Sequence, residues 1–94
     1  MDAITTLQHK IQEGMERCEI PEHMRDSIVR YVVHGINPGN FLTHILSNDL
    51  VNSVLTADGK NLTAIVRYAE FLYNYMPSNA WGSFEAVKEW EGFP

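Results

Sequence analysis

Leu62-Thr63-Ala64-Ile65-Val66-Arg67-Tyr68-Ala69-Glu70-Phe71-Leu72-Tyr73-Asn74-Tyr75-Met76, closed by Pro77, is the stretch on which the fold turns. Leu62, Ile65, Val66, Ala69, Leu72, Tyr73 and Met76 recur at helical spacing and make one apolar stripe, while Ala64, Tyr68, Phe71 and Tyr75 make a second. Only Arg67, Glu70 and Asn74 keep a narrow polar strip between them. A helix apolar over most of its circumference is either the centre of a bundle or part of a subunit interface. Asp58 is placed to cap its start, and Pro77 stops it.

Helical periodicity continues on both sides. Upstream, Ile4, Leu7, Ile11, Met15 and Cys18 fall at spacings of three and four, with Gly14 weakening that helix by about 1 kcal/mol relative to alanine. Pro21 suits the first turn of a second helix, Met24, Ile28, Tyr31 and Val32 form its apolar face, and Gly35 fits a left-handed cap at its end. Ile36-Asn37-Pro38-Gly39-Asn40 is the densest turn signal. A third helix follows through Phe41, Leu42, Ile45 and Leu46, and either runs on to Leu55 or breaks at Asn48-Asp49. Downstream of Pro77, Ser83 caps a short helix carrying Phe84, Val87 and Trp90. No strand-length alternation, repeat or linker interrupts this pattern. The expectation is an all-α protein, a compact bundle of five to six short helices forming a single domain over residues 1–94.

Composition narrows the function classes. The 94 residues carry a formal net charge of −5, with four basic and six acidic side chains in residues 1–47 and three and six in 48–94. Seven basic residues without a cluster argue against general nucleic-acid binding. One cysteine, Cys18, excludes an intramolecular disulfide framework and a thiolate zinc site. The start at Met1-Asp2 lacks the basic run of a signal peptide, and no segment is long and apolar enough for a membrane span, so a cytoplasmic location is expected.

Catalytic signatures are weak. His9, His23, His34 and His44 do not sit at the spacing that offers a metal one helix face, and no His-Glu-x-x-His occurs. His23, Ser27, Arg30 and His34 share one side of the second helix, an anion-contacting face or simply a solvated one. Cys18 lies on an apolar stripe beside Glu16 and Glu19, whose charge disfavours a thiolate, and reads as core. Gly39-Asn40 before a helix has the form of an anion turn but lacks a P-loop's lysine. Asp49 is the only acid in an apolar neighbourhood. Eight aromatics crowd residues 68–94, more than a small core comfortably covers, which suits a protein interface or a pocket where a base stacks on a ring.

Ile20-Pro21-Glu22-His23-Met24-Arg25, Gly35-Ile36-Asn37-Pro38-Gly39-Asn40-Phe41-Leu42, Ser47-Asn48-Asp49-Leu50, Phe71-Leu72-Tyr73-Asn74 and Trp81-Gly82-Ser83 together resemble a family of small proteins encoded by bacteriophages and prophages. The resemblance covers about residues 20–90 and carries no catalytic assignment. It implies a non-enzymatic accessory protein, without cofactor or metal, that counters host defence. The expected mode is sequestration of a cyclic-nucleotide-like signalling molecule by a homo-oligomer. Arg25, Arg30 or Arg67 would pair phosphate with His34 beside them, Trp81 or a tyrosine would stack the base, and Asn40, Asn48 or Asn74 would read its edges. The alternative is a protein–protein inhibitor that blocks a host protein through an acidic and aromatic surface, with Glu13, Glu16, Glu19, Glu22 and Asp26 as its charged face.

Overall fold

Ile11, Met15 and Cys18, the inner part of the first predicted stripe, are all buried along helix α1 (Ala3–Arg17) and its exit, whereas Ile4 at its start is 38% exposed. The structure, a computed structural model, describes residues 3–93. Met1, Asp2 and Pro94 lie outside the described residues, and with them the acidic start of the signal-peptide argument. After α1 the chain reverses through Glu19 at φ 54°, and Pro21 leads into α2 (Glu22–His34). Gly35 closes α2 at φ 69°, as its position predicts, with its N–H donating to the Tyr31 carbonyl at 2.9 Å.

Two interruptions bring the helix count to seven beside the five to six expected, and the first is the break at Asn48-Asp49 that the sequence leaves open. Helices α3 (Asn40–Leu46) and α4 (Leu50–Thr56) are separated at the Ser47-Asn48-Asp49 corner, where Asn48 takes φ 63° and the Asp49 carboxylate accepts from the Asn52 N–H. The long aromatic stretch is itself divided into α5 (Gly59–Thr63) and α6 (Ile65–Tyr75). At the joint the Ala64 N–H reaches the Asn61 carbonyl, three residues back rather than four, at 3.1 Å. Asp58 caps α5 as predicted, accepting from the Asn61 N–H at 2.7 Å. A 3₁₀ turn (Ser78–Ala80) leads to α7 (Phe84–Glu89), where the Ser83 hydroxyl caps as expected. Seven α-helices result, with no strand among the described residues.

Of the two stripes on the aromatic stretch, the second faces inward, joined by Leu72 and Met76 from the first, whose Leu62, Val66, Ala69 and Tyr73 stay exposed. Ala64, Tyr68 and Phe71 are fully buried, against Ile11 and Met15 of α1, Ile28 and Val32 of α2, and Phe41 and Leu42 of α3. Phe41 meets Tyr68 edge-on with ring centres 5.3 Å apart, and Phe71 stacks on Tyr75 at 6.2 Å. Gly14 has a reason here: a Cβ at that position would lie 2.4 Å from Cγ of Tyr75, so the missing side chain seats the ring. The Tyr68 hydroxyl donates to the buried Asn61 side chain at 2.7 Å, which fixes the α5–α6 joint. Tyr31, in the last turn of α2, donates its hydroxyl to the Ala80 carbonyl at 2.7 Å, and its own carbonyl accepts from the Trp90 indole at 2.9 Å.

Beyond α7 the chain returns to α2. The Phe93 N–H donates to the Val32 and Val33 carbonyls at 3.1 Å, and Gly92 and Gly35 pass backbone to backbone. The Cα radius of gyration is 12.2 Å, matching the roughly 12 Å of a well-packed chain of this length.

Two substitutions test this packing by thermal or denaturant unfolding. Tyr68→Phe strands the buried Asn61 oxygen and is expected to cost about 1–3 kcal/mol. Gly14→Ala is expected to lower stability, because the new methyl meets the Tyr75 ring; a gain near the ~1 kcal/mol seen at open helical glycines would refute that seating.

Candidate functional site

Helix α4 is built with its polar side in and its apolar side out. Ser53 is fully buried and donates its hydroxyl to the Asp49 carbonyl at 2.6 Å, while Leu50, Val51 and Leu55 are 63%, 68% and 75% exposed. The same inversion marks the outer side of α6, where Val66 is 70% and Tyr73 81% exposed. Between these two surfaces runs a half-open cleft of about 390 Å³. Leu50 and Ser53 of α4 form one wall, Ile65, Ala69 and Tyr73 of α6 the other, and Asn48, Asp49 and Trp81 edge it. The stripe that the aromatic helix leaves over is therefore half of a groove.

The cleft is apolar, with one charge. Hydrogen bonds from the Asn52 side chain (2.7 Å) and backbone N–H (3.2 Å) hold the Asp49 carboxyl below its ordinary range; slight desolvation opposes them, and His44 at 3.7 Å adds a weaker pull. No arginine or lysine is among the residues that line it. It can take a planar or aliphatic group against Tyr73 and Trp81, with the Asn48 amide and the Asp49 carboxylate available for polar edges.

Of the eight residues singled out from sequence, the structure brings Asn48 and Trp81 together in this cleft and leaves the other six outside its lining. Arg25 is half-buried and donates to the Ile20 carbonyl at 2.9 Å, bracing the α1–α2 corner. Arg67 reaches the Glu19 carbonyl at 3.5 Å and its carboxylate at 3.7 Å. Asn74 donates to the Glu70 carbonyl of its own helix, and Arg30, His34 and Asn40 are exposed. His23 pairs with Asp58 at 2.8 Å. At the Gly39 turn, the Asn37 side chain accepts from the Gly39 N–H and the Thr43 hydroxyl donates to the Gly39 carbonyl, so these polar groups knit the turn itself.

Cys18 is buried as expected. Desolvation pushes its thiol up, and the charge that adds to this is Glu70 from α6, rather than the sequence neighbours Glu16 and Glu19. Among the described residues no group of three His, Cys, Asp or Glu side chains could hold a metal ion, and no helix is long and apolar enough to cross a membrane. Leu50 and Ser53 went unrecognised as site residues. The available signal was the run Leu50-Val51-Asn52-Ser53-Val54-Leu55, too apolar all round for a short surface helix.

Because the native Asp49 pKa lies below its unfolded value, its cap supports α4 at neutral pH, and that support is lost as pH falls from the ordinary carboxylate value through the lowered native one. Helicity followed by circular dichroism is expected to step down there, and Asp49→Asn, which caps without titrating, is expected to shrink the step.

Comparison with protein-family models, with curated proteins and with solved structures finds no match for this chain.

Proposed function

We propose that this chain is a non-enzymatic binding protein that sequesters a nucleotide-derived signalling molecule, of cyclic-nucleotide type, as a homo-oligomer. Such a role suits a phage-type accessory protein acting against host defence in the host cytoplasm. The observation that carries the reading is the half-built cleft. Tyr73 and Trp81 offer rings on which a base stacks, and Asn48 and Asp49 offer the amide and carboxylate that read a base edge. A phosphate needs a cation, and the lining of one chain has none. The exposed Arg30 supplies positive charge elsewhere on the surface, so copies must meet before base and phosphate are held together.

The second reading, an inhibitor that blocks a host protein, draws on the exposure of Glu13, Glu16, Glu19, Glu22 and Asp26. Two of these are engaged, Glu13 with Arg17 at 3.0 Å and Glu19 with Arg67 at 3.7 Å, which weakens the acidic face as a decoy. The cleft favours the first reading.

Titration calorimetry with a panel of cyclic di- and trinucleotides tests it. Binding is expected for at least one member, and Trp81→Ala is expected to weaken it about tenfold or more, since base–aromatic stacking contributes about 1–3 kcal/mol. An intact assembly that takes up no member of the panel overturns the proposal.

A further inference from the structure

We propose that the outer ridge of α4, Val51, Val54 and Leu55, packs about a two-fold axis against the same ridge of a second copy. The inference deepens the homo-oligomer reading, because it names the surface through which copies meet. Three observations carry it.

The first is the inversion of α4. Its one fully buried residue is a serine, while Val51, Val54 and Leu55, at positions i, i+3 and i+4, are 68%, 42% and 75% exposed. These spacings put the three on one side of the helix, the arrangement that makes a helix–helix contact.

The second is extent. Around the three ridge residues, Leu50 is 63% exposed, and beyond the cleft Leu62, Val66 and Tyr73 are 46%, 70% and 81% exposed, so the uncovered apolar surface extends past the ridge itself.

The third is charge. Each copy carries a net −5, so two copies repel wherever their acidic surfaces approach. Residues 50–57 contain no charged side chain, and the nearest acid, Asp49, stays ionised at the helix start, outside the ridge formed by Val51, Val54 and Leu55. A neutral ridge on an acidic chain is where two like-charged copies can touch. A single helical ridge also meets the geometric demand of a two-fold contact, in which one patch must complement itself.

Sedimentation equilibrium of the full chain across the micromolar range tests the seam. The mass is expected to be at least twice the 10.7 kDa of one chain. Val51→Glu combined with Leu55→Glu is expected to lower it at least two-fold with the helical circular dichroism unchanged, since both side chains are mostly exposed. Phe84→Glu, 61% exposed but on α7, is expected to keep the wild-type mass. As a second readout, Leu55→Cys is expected to give a covalent dimer on mild oxidation and Phe84→Cys is not. A one-chain mass for the wild type, or a double variant that keeps the wild-type mass, overturns the proposal. An assembled chain that binds no nucleotide overturns the ligand reading and supports the seam, whereas nucleotide binding by a one-chain species sinks both the seam and the requirement that copies meet, and leaves the ligand class standing.

Discussion

A helix that is apolar over most of its circumference is covered over only part of it by the helices that 94 residues supply, and the rest of this structure follows from that mismatch. The rings of Tyr68 and Phe71 take the inside, because they meet Phe41 and the α1–α2 surface and because the Tyr68 hydroxyl finds a buried amide. Once they are fixed, Val66, Ala69 and Tyr73 must point away. The neighbouring α4 then has no core to turn its aliphatics toward. It presents them outward, and a cleft opens between the two uncovered surfaces.

Features set by local chemistry were legible from sequence. Gly35, Asp58 and Ser83 each cap the helix expected of them, because capping needs only a left-handed residue or a side-chain oxygen at the right offset. Two apolar stripes were equally plain, but which one faces inward depends on what packs against it, and that is a tertiary property. Gly14 read as a weakness for the same reason, since Tyr75 lies 61 positions away in the chain. The break at Ala64 was invisible because it is held by a hydrogen bond between Asn61 and Tyr68, two residues that a periodicity argument treats separately. The candidate ligand residues fared least well. Charge and amide chemistry can be read from letters, but convergence on one cavity cannot, and only Asn48 and Trp81 converge.

The manner in which α4 is held bears on its role. It is tied to α3 by the Asp49 N–H donating to the His44 carbonyl and held at its start by the Asp49 cap and the inward Ser53 hydroxyl, not by burial of its own leucines and valines. An element secured by polar bonds at one end, with little apolar area committed inside its own chain, sits at the low-stability end of a fold. Such an element is well suited to contacts with other molecules, because those contacts do not compete with the core.

The return of residues 90–93 to α2 has a consequence for biosynthesis. Tyr31, Val32 and Val33 offer carbonyls near the end of α2, and their partners, the Trp90 indole and the Phe93 N–H, are made almost sixty residues later. While the chain is being synthesised, α1 to α3 can leave the ribosome and begin to pack, yet this end of α2 stays without those bonds until the segment that supplies them has emerged. Gly35 and Gly92 leave the gap through which that segment enters. The clasp can therefore close only once residues 90–93 have emerged, and a side chain at either glycine would meet backbone there and obstruct it.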